Sequence, residues 1–163
     1  MVQMESFTTA DNQFMAMALQ EAELAFKEDE VPIGAVLVFD GKIIARGRNS
    51  VINDCDQTQH AEMKVLRKGF EVVNKKFLYG CTLYSTIEPC IMCMGACVLA
   101  RIDRLVYGAD EPKTGAICSV VKINELKLNH TIKVDKGLMR QRSVELIRSF
   151  FENKRLFAKN KER

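Results

Sequence analysis

An α/β protein, with a mixed sheet of about five strands flanked by helices, is what this sequence predicts, and three observations carry that reading. A β-branched run from Ile33 to Phe39 ends in Asp40-Gly41, a tight-turn dipeptide that sends the chain back as a hairpin over Lys42 to Arg46. Strand signals at Cys81 to Thr86 and at Asp103 to Tyr107 enclose an apolar helical segment from Cys90 to Leu99, the alternation of a parallel strand–helix–strand unit. Amphipathic segments near both ends supply helices to cover the sheet.

Taken in order, residues 11–28 place Phe14, Met17, Ala18, Ala22, Ala25 and Phe26 at helical spacing, with Glu21, Glu23 and Lys27 between them. Pro32 is expected to stop that helix, because the residue before a proline is pushed out of the helical region. The hairpin follows, then a polar loop from Gly47 to Gln59 and a helix near His60 to Lys68. After the strand–helix–strand unit, residues 131–134 suggest one more strand. A closing helix, from about 141 to 160, carries Val144, Ile147 and Phe151 on one face. With no internal repeat and no linker, residues 1–163 read as one domain.

Composition narrows the function classes. Apolar residues at 47% and charged residues at 28% exclude a disordered or low-complexity chain. The longest apolar stretch, Val31 to Phe39, is about half of the roughly 18 residues a spanning helix needs. Glu5 and Asp11 interrupt any apolar export segment, so a cytoplasmic address is expected and no membrane partner. The net charge of +3 is unevenly placed: from Arg140 to Arg163 there are eight basic and three acidic residues, leaving the rest slightly negative. A polyanion docking on the tail and a merely solvated helix both fit that asymmetry, and charge alone favours the second. Six cysteines in a chain with no export signal point to metal or thiol chemistry rather than disulfides.

His60-Ala61-Glu62 opens one predicted helix, and Pro89-Cys90-Ile91-Met92-Cys93 opens another, with proline suited to the first helical position. Cys90 and Cys93 share a helix face, and the positive end of the helix favours their thiolates. One imidazole and two thiolates suit Zn²⁺, one ion per chain, and leave a tetrahedral corner open, as catalytic rather than structural zinc requires. Cys97 lies about 10.5 Å along a regular helix from Cys90. Two sulfurs on one zinc are at most roughly 4.6 Å apart, so Cys97 is assigned to the core. Glu62 gives the cluster a use: a carboxylate beside activated water takes its proton and passes it on. A metal that only supported an RNA-binding fold would have no need of it. His130 reads as a loop or strand-edge residue; Cys55, Cys81 and Cys118 read as incidental or buried thiols; Met63, Met92 and Met94 read as core. Lys113-Thr114-Gly115 and Ser119 to Lys122 mimic acyl-transferase motifs, but in the wrong order.

H-x-E followed by P-C-x-x-C is the known signature of zinc nucleobase deaminases. From about Phe14 to Arg155 the chain resembles the cytidine/deoxycytidylate deaminase superfamily, and within it the bacterial tRNA-specific adenosine deaminases. Beyond the zinc motifs, the resemblance rests on Glu30 to Val36, Asn49, Glu88 to Ala96, Tyr107-Gly108-Ala109, Pro112 to Ala116, Asn129-His130 and Phe150-Phe151 with Lys154-Arg155. It implies a three-layer α/β/α fold and hydrolysis of the wobble adenosine of a tRNA anticodon to inosine, with release of ammonia. His60, Cys90 and Cys93 would hold zinc, and Glu62 would move the proton from water to the ring nitrogen beside C6. Asn49 would hydrogen-bond the flipped base and Ile33 would line its pocket. Asn129, Lys113, Lys154 and Arg155 would face the anticodon stem-loop, whose unpaired bases are cheap to extrude. A homodimer with active sites near the subunit boundary is also implied. Gln57, Gln59, Glu111 and Cys118 depart from the family's usual residues without touching the zinc set. The competing substrate is a free nucleobase or nucleoside of the guanine or cytosine type.

Overall fold

The computed structural model describes residues 7–161; Glu5, and Arg163 of the basic tail, lie outside the described residues. The elements are α1 (Thr9–Lys27), β1 (Gly34–Phe39), β2 (Lys42–Arg48), α2 (Ala61–Val73), β3 (Cys81–Ile87), α3 (Ile91–Ala100), β4 (Arg104–Ala109), β5 (Lys133–Lys136) and α4 (Arg140–Lys161). A short 3₁₀ turn over Ile123–Glu125 has no counterpart in the sequence reading.

The sheet runs β2-β1-β3-β4-β5. β1 is antiparallel to both its neighbours, whereas β3, β4 and β5 are parallel, so the expected mixed sheet is present. The hairpin turn has positive φ at both Asp40 and Gly41, the type I′ geometry that matches strand twist. A bulge at Ile44 shifts the β1–β2 register beyond Leu37. Strand alternation then sorts the core. Leu37, Leu83, Leu105 and Tyr107 pack with Ala61, Val65, Met94 and Cys97 from α2 and α3. Val36, Val38, Tyr84 and Val106 pack with Met15, Ala18 and Leu19 from α1. Helices thus cover both faces, in three layers.

The boundaries differ from expectation in instructive ways. Thr8 caps α1 through a reciprocal pair of bonds with Asp11, which starts the helix earlier than residue 11. Pro32 does not end it. Asp29 takes the left-handed conformation (φ 62°), and Glu30 N–H returns to Ala25 C=O at 2.9 Å, closing the helix before proline is reached. Helix α2 continues to Val73 and ends in left-handed Asn74, and β5 sits two residues later than predicted. Gly34 allows α1 to lie against β1: a Cβ there would stand 2.1 Å from Ala18 O.

At the end of the sheet where β3 and β4 begin, Arg104 bonds Asp11 at 2.7 Å and Asp135 at 2.6 Å. Tyr84 donates to the same Asp11 carboxylate at 2.6 Å. Burial works to raise the Asp11 pKa, but Arg104, Tyr84 and Thr8 outweigh it and hold the carboxyl well below its usual range. Among the described residues, no helix is long and apolar enough to cross a membrane.

Candidate active site

The site forms where β1, β2 and β3 deliver their ends to the starts of α2 and α3. His60 is the extended residue capping α2, and Cys90 the extended residue capping α3. Pro89 therefore precedes the cap and does not occupy the first helical position as expected; its carbonyl instead accepts Ala116 N–H at 3.0 Å. Both helices point their positive ends at the cluster.

His60 Nδ1 lies 3.5 Å from Cys90 Sγ and 3.5 Å from Cys93 Sγ, and the sulfurs are 3.7 Å apart. A tetrahedral ion with Zn–S of about 2.3 Å and Zn–N of about 2.05 Å needs S···S near 3.8 Å and S···N near 3.5 Å. The three donors therefore fit such an ion without rearrangement. The neighbouring Cys93 thiol draws the Cys90 pKa down to about 4, helped by His60. The Cys90 sulfur in turn pushes His60 up. Cys97 belongs to the buried core cluster and is not among the donor atoms that converge with His60, Cys90 and Cys93, so it stays outside the set as expected.

Glu62, in the first turn of α2, is 2% exposed. Its Oε2 lies 3.6 Å from Cys93 Sγ, and its Oε1 accepts the Ser85 hydroxyl at 2.9 Å. Burial pushes the Glu62 pKa up, against the backbone bond, His60 and the Ser85 hydroxyl, which favour its ionised form.

Ile33 and Asn49 meet through the backbone, Asn49 N–H donating to Ile33 C=O at 3.0 Å. The next residue, Ser50, donates its N–H to Gln59 C=O at 3.1 Å, which draws this strand end to the residue before His60. Buried Glu30 accepts Asn53 N–H at 2.7 Å and approaches the Asn49 amide at 3.5 Å.

The loop after β4 is held against the other side. Glu88, 1% exposed, accepts the N–H groups of Glu111, Ile117, Cys118 and Ser119 at 2.8–3.1 Å, and the Ser119 hydroxyl. Burial opposes its ionisation, yet these donors hold its pKa near 2. A Cβ on Gly115 would meet Glu88 Oε2 at 2.3 Å, so the loop closes only with glycine there. Glu88, Asp110 and Cys118 also lie close together, but the Glu88 oxygens are taken by these N–H groups and Asp110 by Tyr107 and Lys136. That cluster staples the loop. Exposed Lys113 rides on the stapled segment, beside the Cys90–Gly115 bridge.

The remaining residues are not gathered with the cluster. Lys154 pairs with Asp29 at 2.5 Å, next to the Glu30 segment, and Arg155 is exposed. Exposed Asn129 adjoins His130, whose Nε2 bonds Ile102 C=O at 2.7 Å. Ile102 precedes β4, so Asn129 lies at the opposite end of the strands, roughly 20 Å along them at 3.3 Å per residue.

Glu30, Ser85 and Glu88 were not assigned roles from sequence. Each had a signal: a hydroxyl or carboxylate in or beside an apolar strand segment, where an unpaired polar group is costly.

Comparison with known proteins matches residues 9–155 to the model of the MafB19-like deaminase family. A tRNA-specific adenosine deaminase of Agrobacterium fabrum is 47% identical over 88% of this chain and 95% of its own length. A structure solved in work on A-to-I editing by tRNA:A34 deaminases at the wobble position of transfer RNA superposes with TM-score 0.80 and 46% identity. It covers 82% of this chain and 98% of that one. A guanine deaminase from Bacillus subtilis superposes with TM-score 0.57 and 39% identity over 60% of this chain and 63% of that one.

Proposed function

The chain belongs to the MafB19-like deaminase family, and we propose that it hydrolyses the wobble adenosine of a tRNA anticodon to inosine, with one molecule of water consumed and one of ammonia released. The observation that carries this reading is the trio His60, Cys90 and Cys93 at the edge lengths of a zinc tetrahedron, with the Glu62 carboxylate beside it. Zinc held by His60, Cys90 and Cys93 would supply a Lewis acid that lowers the pKa of water. Glu62 accepts the proton that water gives up, delivers it to the ring nitrogen next to C6, and assists the departing amine. Asn49 hydrogen-bonds the extruded base, and Ile33 forms the apolar wall of its pocket.

Lys113, on the stapled loop, and Lys154 and Arg155, at the end of α4, contact anticodon phosphates. The protein works in the cytoplasm as a homodimer. An uncovered apolar stripe on α3 supports that assembly: Ile91 and Leu99 are 60% and 79% exposed, with Gly95 between them. Asn129, far from its own site, reaches RNA only when presented by a second subunit.

Similarity to a guanine deaminase favours one other substrate class, a free purine base. Both readings meet in one assay: the zinc-loaded chain is incubated with an anticodon stem-loop, adenosine, cytidine or guanine, and inosine and ammonia are scored. Inosine in the stem-loop alone supports the proposal; turnover confined to guanine replaces it. Glu62→Gln is expected to keep about one zinc per chain while turnover falls by roughly a thousandfold or more. Undiminished turnover removes Glu62 from the mechanism.

A further inference from the structure

We infer that Ser85 is a positioning residue for Glu62, fixing which carboxylate oxygen shuttles the proton; the inference rests on the deamination reading above. Ser85 lies near the end of β3 and is completely buried. Its backbone is clamped on both sides, opposite Ala35 of β1 and Tyr107 of β4. Alternation points it to the same face as Cys81 and Leu83, which belong to the apolar cluster under α2 and α3. A hydroxyl there is costly unless it is bonded, and its bond is to Glu62 Oε1 at 2.9 Å.

The consequence for Glu62 is an asymmetry between its oxygens. Oε1 is held by a donor anchored in the middle of the sheet. Oε2 faces Cys93 Sγ at 3.6 Å, on the side of the metal donors. A glutamate carboxyl turns easily about its last torsion, which has a broad, two-fold profile; the Ser85 bond removes that freedom. Oε2 therefore receives the proton from water and hands it to the ring nitrogen. Ser85 keeps its own proton throughout, and the exchange balances without any further group. Such fixed orientation of a proton carrier acts on the chemical step rather than on binding.

The test uses the full chain loaded with zinc and an anticodon stem-loop. Ser85→Ala deletes only the hydroxyl. Its kcat is expected to fall roughly tenfold, the scale of one hydrogen bond to a charged group. KM, stem-loop affinity and zinc content are expected to stay within about twofold of the parent, since none of those contacts changes. A second background separates positioning from general support. Glu62→Asp withdraws the carboxylate from Ser85, so adding Ser85→Ala to it is expected to change the residual kcat by less than about twofold. A Ser85→Ala kcat within twofold of the parent overturns the inference. So does loss of zinc or of stem-loop binding, or a tenfold factor that multiplies undiminished in the Glu62→Asp background. A parent chain inert toward every base overturns the deamination reading and this inference with it.

Discussion

The most legible residues are those whose chemistry depends on spacing along the chain. His60, Glu62, Cys90 and Cys93 lie in two short motifs at helix starts, and their convergence follows once both helices flank the same strand. The exclusion of Cys97 also needed only the rise of a helix. A matched pair of variants checks that division: Cys90→Ala is expected to lose bound metal and much of its folded yield, because metal binding and folding are coupled. Cys97→Ala is expected to retain about one zinc per chain, losing only some packing stability. Metal analysis of both proteins decides; equal zinc in the two misassigns the ligand set. Glu30, Ser85 and Glu88 are legible as polar groups in apolar surroundings, but their partners are not, for a physical reason. Their partners are 23 to 31 residues away (Asn53 for Glu30, Glu62 for Ser85, Ser119 for Glu88), so the bonds exist only after the elements have docked.

At the scale of elements, every predicted helix and strand is present, and the errors lie at their ends. Two prolines are expected in roles that other residues perform: Asp29 ends α1, and Ile91, not Pro89, is the first helical residue of α3. Left-handed non-glycine residues at helix ends, here Asp29, Asn74 and Arg101, leave little trace in sequence, which explains why the predicted stops were off. Helix α4 was read correctly as a basic helix, and its proposed RNA role is testable as a unit. Removing residues 155–163 is expected to weaken stem-loop binding and to reduce the slope of log Kd against log salt by roughly one to three. An unchanged slope makes the tail a solvated helix.

The whole molecule is tied at the end of the sheet remote from the active site, where Arg104 joins Asp11 of α1 to Asp135 of β5. The depressed Asp11 pKa gives this tie a pH signature. Its stabilisation is fully present above the ordinary value of 3.8 and is lost as pH falls below it toward the lower folded value. Asp11→Asn is therefore expected to cost on the order of 2 kcal/mol near pH 7. The gap to the parent should close progressively below about pH 4 in denaturant melts at matched pH. A gap that stays constant from pH 7 to 3 would show that the charge contributes nothing.

Because β3 sits between the hairpin and β4, the helix before it and the helix after it become side-by-side neighbours whose first residues nearly touch. The cation pocket is thus a seam between chain segments about thirty positions apart, and it cannot exist until residue 93 has been synthesised and β3 has paired. An ion seated there would clasp α2 to α3 across β3. Starving a growing cell of zinc should accordingly lower the yield of folded chain, as Cys90→Ala is expected to, and solubility on restoring zinc checks it.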